Sequence, residues 1–305
     1  MELVSIIIPC FRQADLLGEA IESVLAQSYQ HFEIIVVDDG SPDDTAQVVK
    51  RYPSVRYLRQ DNRGVSAARN SGIQASSGTY LVFLDADDRL LPNHLQANLK
   101  AFEEHPDAGF VCGDYRWFGA EDTWHTHDCR PSPDHYATLL RRNFIGPPHV
   151  VMFKRRIIQE VGGFHTGVLA EDQELYLHIA RAYPIYCHHE IIAEYRRHGA
   201  QNSLKYEIML RDSLKMLRLQ REYARRNPVY KEAIKIGILF RQHLYESGIT
   251  EQISTDIGKR HWQRATRALF VFIRYHPRGL VRVLWSKLRK AMLGSASGSD
   301  RARGN

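Results

Sequence analysis

The sequence predicts an α/β fold, a mostly parallel central sheet followed by a helical region, and three observations predict it. Between residues 4 and 84, short β-branched apolar runs alternate with helical patterns, the arrangement that gives parallel sheets. The apolar runs lack polar alternation, as strands covered on both faces do. Three of them end in acidic or turn-forming clusters, where open sheets of this class collect ligands. A chain of 305 residues can bury a full α/β core with about a third left over, so one domain plus an appendage is expected.

Val4 to Ile8 is the first strand, stopped by Pro9, and Ala14 to Gln27 has helical spacing through Leu17, Ala20, Ile21, Val24 and Leu25. Glu33 to Val37 is the second strand. Ser41-Pro42-Asp43-Asp44 has the form of a capping box with Pro at the first helical position, predicting a helix to about Arg51. Val55 to Leu58 adds a strand, Ser66 to Ser76 a helix and Tyr80 to Leu84 a fourth strand. The segments Pro9-Cys10-Phe11, Asp38-Asp39-Gly40-Ser41 and Asp85-Ala86-Asp87-Asp88 should therefore line one cleft. Beyond the sheet, Lys205 to Arg226 reads as a helix, with others around Tyr230 to Tyr245 and Ile257 to Arg274, while Gly294 to Asn305 reads as a loose tail. The expected domains are residues 1–204, a helical basic region 205–293, and the tail.

The net charge of +6 is unevenly spread. Asp256 to Asn305 carries a surplus of ten positive charges, so the preceding residues sum to about minus four. An acidic body with a cationic end argues against a nucleic-acid-binding fold. The four cysteines, Cys10, Cys112, Cys129 and Cys187, show no C-x-x-C spacing, and the amino-terminal residues do not read as a signal peptide. Reduced thiols in a cytosol are the expectation. No apolar run reaches the eighteen or so residues of a membrane span.

The strand tip carrying Asp85, Asp87 and Asp88 raises an electrostatic question. Like charges ~5 Å apart repel by roughly 3 kcal/mol at an effective dielectric near 20, so a cation among them is favoured; the alternative is a solvated acidic turn ahead of a helix. An EF-hand loop is excluded, because counting from Asp85 puts Leu90 and Gln96 where Gly and Glu are required. No Gly-x-Gly-x-x-Gly and no phosphate-binding Gly-Lys-Ser/Thr loop is present.

Taken in order, SIIIPCFRQADLLGEAIESVLAQSY, EIIVVDDGSPDDT, NRGVSAARNSGI and YLVFLDADD resemble the family 2 glycosyltransferases, over roughly residues 3 to 200. VGGFHTGVLAEDQELYLHIA resembles the segment in which that family places its catalytic base. The resemblance implies a GT-A fold and inverting transfer from a nucleotide-diphosphate sugar. It implies that Asp39 reads a uracil-like base beside Pro9 and Phe11, that Arg69 faces the diphosphate, and that Asp85 lies near the ribose. Asp87 and His198 would hold Mn²⁺ or Mg²⁺, Asp172 would be the base, and Glu171 would orient the acceptor or the metal shell.

Each residue also has a plainer reading. DDGS is an Asp-Gly turn, Arg69 a helix-surface cation, and acids at a helix start are favoured by the dipole alone. Residues 109 to 152 would form the acceptor side, with Trp117 and His149 as contacts. The stretch WQRATRALFVFIRYHPRGLVRVLWSKLRKAML mixes cations with Trp262, Leu269, Phe270, Phe272, Leu280, Leu284, Trp285 and Leu288. That suits a helix in an anionic membrane interface, each basic residue contributing about 1 kcal/mol, or a packing domain with a solvated basic face. The expected function is cytoplasmic, metal-dependent sugar transfer, from a UDP-sugar, to a lipid-linked or surface glycan at the inner face of the cell membrane. A sugar nucleotidyltransferase would need an N-terminal glycine-rich loop, and a non-catalytic binding module would not need Asp87 and Asp172.

Overall fold

The computed structural model describes residues 1–119, 126–127, 133–167, 169–197 and 205–279. The chain divides into two compact units, residues 1–201 and 202–305.

In the first unit, the alternating segments become β1 (Val4–Cys10), α1 (Ala14–Leu25), β2 (Phe32–Asp38), α2 (Thr45–Val49), β3 (Val55–Arg59), α3 (Val65–Ala75) and β4 (Tyr80–Phe83). There follow β5 (Arg89–Leu90), α4 (His94–Glu104), β6 (Phe110–Gly119), β7 (Thr126–His127), α5 (His135–Arg141), β8 (Val151–Lys154), α6 (Arg155–Glu160), α7 (Glu171–Ala180) and β9 (Ile185–Arg197). Among the described residues they form one sheet in the order β3-β2-β1-β4-β8-β6-β9-β5, with β7 beside β6. The first four strands are mutually parallel, whereas β8 runs antiparallel to both β4 and β6. All seven residues of β1 are buried, as a run without alternation requires.

Two local expectations are corrected. Pro9 does not end β1: it pairs with Val37 inside the strand. Ile7 accepts the Leu84 N–H, so by the two-residue period Pro9 also faces β4, beyond the last Ile7–Phe83 pair. Its missing N–H falls where that ladder has finished. The second correction concerns Ser41, which caps no helix. Its Oγ accepts the Arg12 N–H at 3.1 Å and its own N–H goes to Asp38 Oδ1 at 2.7 Å, so α2 starts only at Thr45.

Gly72 decides where α3 lies. A Cβ there would come within 2.3 Å of Ile7 Cγ2, so only glycine lets the helix settle this close to β1. One turn earlier on α3, Arg69 is thereby driven to the carboxyl end of the sheet, 2 % exposed. Below it, Phe83, Phe110, Phe153, Phe164 and Tyr176 form a continuous aromatic core. Cys187 is disulfide-bonded, against the expectation of reduced thiols. Cys10 is a buried free thiol, and the β6–β9 register sets Cys112 opposite Cys187.

The second unit contains α8 (Tyr206–Leu219), α9 (Pro228–Gly258) and α10 (Trp262–Tyr275). Leu210, Leu214, Ile249 and Phe272 form its core. Gly248 lets α9 approach the Tyr206 ring, where a Cβ would lie at 2.5 Å. α9 runs through the break expected after Tyr245, because its apolar contacts continue to Ile253. No helix among the described residues is long and apolar enough to cross a membrane. His198, Leu280, Leu284, Trp285, Leu288 and the segment 294–305 lie outside the described residues.

Candidate active site

The site begins at the turn after β2. Asp38 is fully buried and builds that turn: besides Ser41, it accepts from Tyr57 Oη at 2.5 Å and Arg59 Nη1 at 3.0 Å. Gly40 has φ +76°, and a Cβ there would meet the Asn62 backbone nitrogen at 3.0 Å. Asp39, expected to face a base, is also buried and holds the loop before α3. Its Oδ1 accepts from Gln60 Nε2 at 2.7 Å and the Arg63 N–H at 2.9 Å, and its Oδ2 accepts from the Gly64 N–H at 2.8 Å. A carboxylate can accept about four hydrogen bonds, so Oδ2 retains a lone pair for a ligand. Of the expected wall, Pro9 is buried within β1, while Phe11 is 38 % exposed with Arg12 over its ring at 5.1 Å.

At the tip of β4 the exposure alternates: Asp85 and Asp87 are partly exposed, and Ala86 and Asp88 are buried. Arg69 was expected to face a diphosphate. Instead its guanidinium clamps Asp85 Oδ1 at 2.7 Å and Glu171 Oε1 at 2.8 Å, with the Phe164 ring beneath it at 5.2 Å. The two carboxylates hold its proton more firmly than usual against the opposing effect of burial. A charged pair this buried contributes little net stability but would be costly to break. Arg69 therefore positions two acids at the carboxyl end of the sheet.

Glu171 and Asp172 open α7, far from Asp85 in sequence and adjacent to it in space. Asp172 stays clear of the clamp, Oδ1 accepting the Gln173 N–H at 2.7 Å. Burial, then the neighbouring Glu171 charge, push its carboxyl up to about 7, although the Gln173 N–H and Arg69 oppose the rise. A carboxylate poised near neutrality is suited to proton removal.

His149, expected on an acceptor surface, is fully buried on the turn ahead of β8. Its Nδ1 lies 3.0 Å from Asp88 Oδ2, and Asp88 Oδ1 accepts the Arg196 N–H at 2.8 Å. Burial raises the Asp88 carboxyl to about 6, partly offset by His149. Ligand atoms of Asp85, Asp88 and His149 lie within 4.8 Å of one another. The oxygen-rich set is suited to a hard divalent cation. Asp85 and Asp87 are the two that retain exposure, so they fit the metal-binding role best, with the Asp88–His149 pair bracing the turn behind them. The Asp88–His149 partnership spans 61 residues and has no motif spacing to betray it. Trp117 lies on β6, partly exposed, with Arg197 over its ring at 5.5 Å.

The model of the family described as glycosyl transferase family 2 matches residues 5–162. The chain belongs to this family. An uncharacterized glycosyltransferase of Escherichia coli, YibD, is 27 % identical over 254 residues, covering 75 % of this chain and 74 % of its own. One from Rickettsia felis is 42 % identical over 105 residues, 33 % of this chain, and this chain spans only 17 % of its length. Among solved structures, S. aureus TarS 1–349 in complex with UDP-GlcNAc superposes with a TM-score of 0.64 at 17 % identity, over 90 % of this chain and 81 % of that one. The Pyrobaculum calidifontis mannosyltransferase PcManGT in complex with GDP-Man and Mn²⁺ gives 0.62 at 19 % identity, over 93 % and 87 %. The likeness supports the GT-A fold of this glycosyltransferase-family chain.

Proposed function

We propose that the protein is an inverting glycosyltransferase that moves a sugar from a nucleotide diphosphate, UDP in our reading, to a hydroxyl of a lipid-linked or surface glycan. The observation that carries this is the Arg69 clamp, which joins the acids at the tip of β4 to the start of α7 and leaves Asp172 unpaired beside them.

Donor binding assigns the free Oδ2 lone pair of Asp39 to the imide N–H of uracil, and exposed Phe11 to the face of the base. TarS binding UDP-GlcNAc and PcManGT binding GDP-Man support a nucleotide-sugar donor. When bound by Asp87 and Asp85, Mn²⁺ or Mg²⁺ supplies Lewis-acid neutralisation of the leaving diphosphate. His198 remains an expectation outside the described residues. Asp172 accepts the proton of the acceptor hydroxyl as that oxygen attacks the anomeric carbon and the bond to the diphosphate breaks on the opposite face. Glu171 is not placed for that role, because Arg69 Nη1 holds its Oε1 at 2.8 Å.

The reading extends to a cytoplasmic location at the inner membrane face. On α10, Trp262, Leu269, Phe270 and Ile273 are exposed, while Ala265, Ala268 and Phe272 are buried and Arg264, Arg267 and Arg274 are exposed between the two apolar faces. An exposed aromatic face flanked by cations is suited to an anionic lipid surface.

Incubation with radiolabelled nucleotide sugars, separating released nucleotide from sugar transferred to glycan or lipid, tests the function. Release coupled to transfer is expected. Uptake of nucleotide triphosphate with release of pyrophosphate would instead make it a nucleotidyltransferase.

A further inference from the structure

We propose that His165, Glu174 and His178 form a second cation site, for a borderline transition ion of the Zn²⁺ class, which fastens the loop ahead of α7 to α7 itself. Ligand atoms of these three side chains lie within 4.8 Å of one another. The cluster is distinct from Asp85, Asp88 and His149 and does not depend on how those acids are used.

Glu174 and His178 are one turn apart on α7, so their side chains share a face of the helix. His165 comes from the preceding loop, which is anchored one residue earlier. Asn70 on α3 accepts the Phe164 N–H at 2.9 Å and donates to the Phe164 carbonyl at 2.8 Å. The loop therefore delivers His165 Nδ1 to within 3.1 Å of Glu174 Oε1.

An independent observation points to a missing cation. Glu174 is 6 % exposed, and its Oε2 has no hydrogen-bond partner. A buried carboxylate held only by a half-exposed imidazole is under-compensated, and a metal ion would complete it. The two rings cross at 76° with centroids 5.0 Å apart. Burial and the nearby Arg181 push His178 down to about 4, so at neutral pH its imidazole has a lone pair to offer. Two imidazoles and a carboxylate are a donor set favoured by Zn²⁺, and tetrahedral geometry would draw the ligand atoms to about 3.4 Å from each other. The exposed side of His165 leaves the fourth position to water.

The test is titration of chelator-treated full-length protein with Zn²⁺ and with Co²⁺ as a spectroscopic probe. Wild type and Asp87→Asn should bind Co²⁺ with the intense visible absorption of a four-coordinate site, and Zn²⁺ should raise their melting temperature. His165→Gln and His178→Gln should each lose that band and one equivalent of Zn²⁺. His165 is half exposed, so its variant removes a ligand without opening the core, and an unchanged circular dichroism spectrum confirms folding. A band absent from wild type, or one that survives both histidine substitutions, overturns the proposal. So does a band lost in Asp87→Asn.

Discussion

Asp172→Asn separates the proposed base from the acids around it. Asp172 is raised from an ordinary 3.8 to about 7, by burial first and by Glu171 second. The wild-type rate should therefore rise with pH through an apparent pKa near 7, with about a tenth of the plateau at pH 6 and about nine-tenths at pH 8. The Glu171 charge contributes to the rise in Asp172, so Glu171→Gln should move that limb to lower pH. The asparagine variant should lose about 10²-fold or more in turnover and the limb with it, while donor affinity stays near wild type.

Stability should change the opposite way. The folded state keeps a proton on Asp172 that the unfolded chain has already released, so stability contributed at low pH is lost as pH rises from about 4 to about 7. The displacement corresponds to about 4 kcal/mol. Asp172→Asn should recover only part of this, because solvent reaches the partly exposed carboxylate. The assay is a pair of profiles from pH 5 to 9, initial rates with a radiolabelled donor and chemical denaturation. A wild-type rate that does not vary across pH 6 to 8, or a variant that keeps the limb, refutes Asp172 as the base. A variant less stable than wild type at pH 8 refutes the electrostatic account.

Asp87→Asn should abolish most turnover and weaken Mn²⁺-dependent donor binding, measured by calorimetry with and without metal; unchanged metal dependence would reassign the ligand. Arg69→Met should cost about 3–5 kcal/mol by denaturation, because it leaves Asp85 and Glu171 facing each other without a cation, and adding Glu171→Gln should restore part of the loss. Gly40→Ala should destabilise by about 1–2 kcal/mol, since alanine would be forced to φ +76°. Trp262→Glu with Phe270→Glu should release the protein from anionic vesicles in a co-sedimentation assay while leaving donor binding intact. Removing all of α10 would be a poor test, because Phe272 is part of the second unit's core.

The α/β class, the first four strands, the three strand-tip segments and the acids at the start of α7 were legible in the sequence because each depends on local pattern: unalternating apolar runs, turn residues and helical spacing. The tertiary structure decided which acids are paired. Arg69 is an ordinary helix cation until Gly72 lets α3 settle onto β1 and α7 brings Glu171 to it across 102 residues. Asp39 became a loop anchor and His149 a buried partner of Asp88 for the same reason. A side chain's hydrogen-bond partner is chosen by the strand order and by how closely helices pack, and neither leaves a periodic trace along the chain. Desolvation, which raises Asp172 most, likewise exists only once the sheet and helices have closed around it.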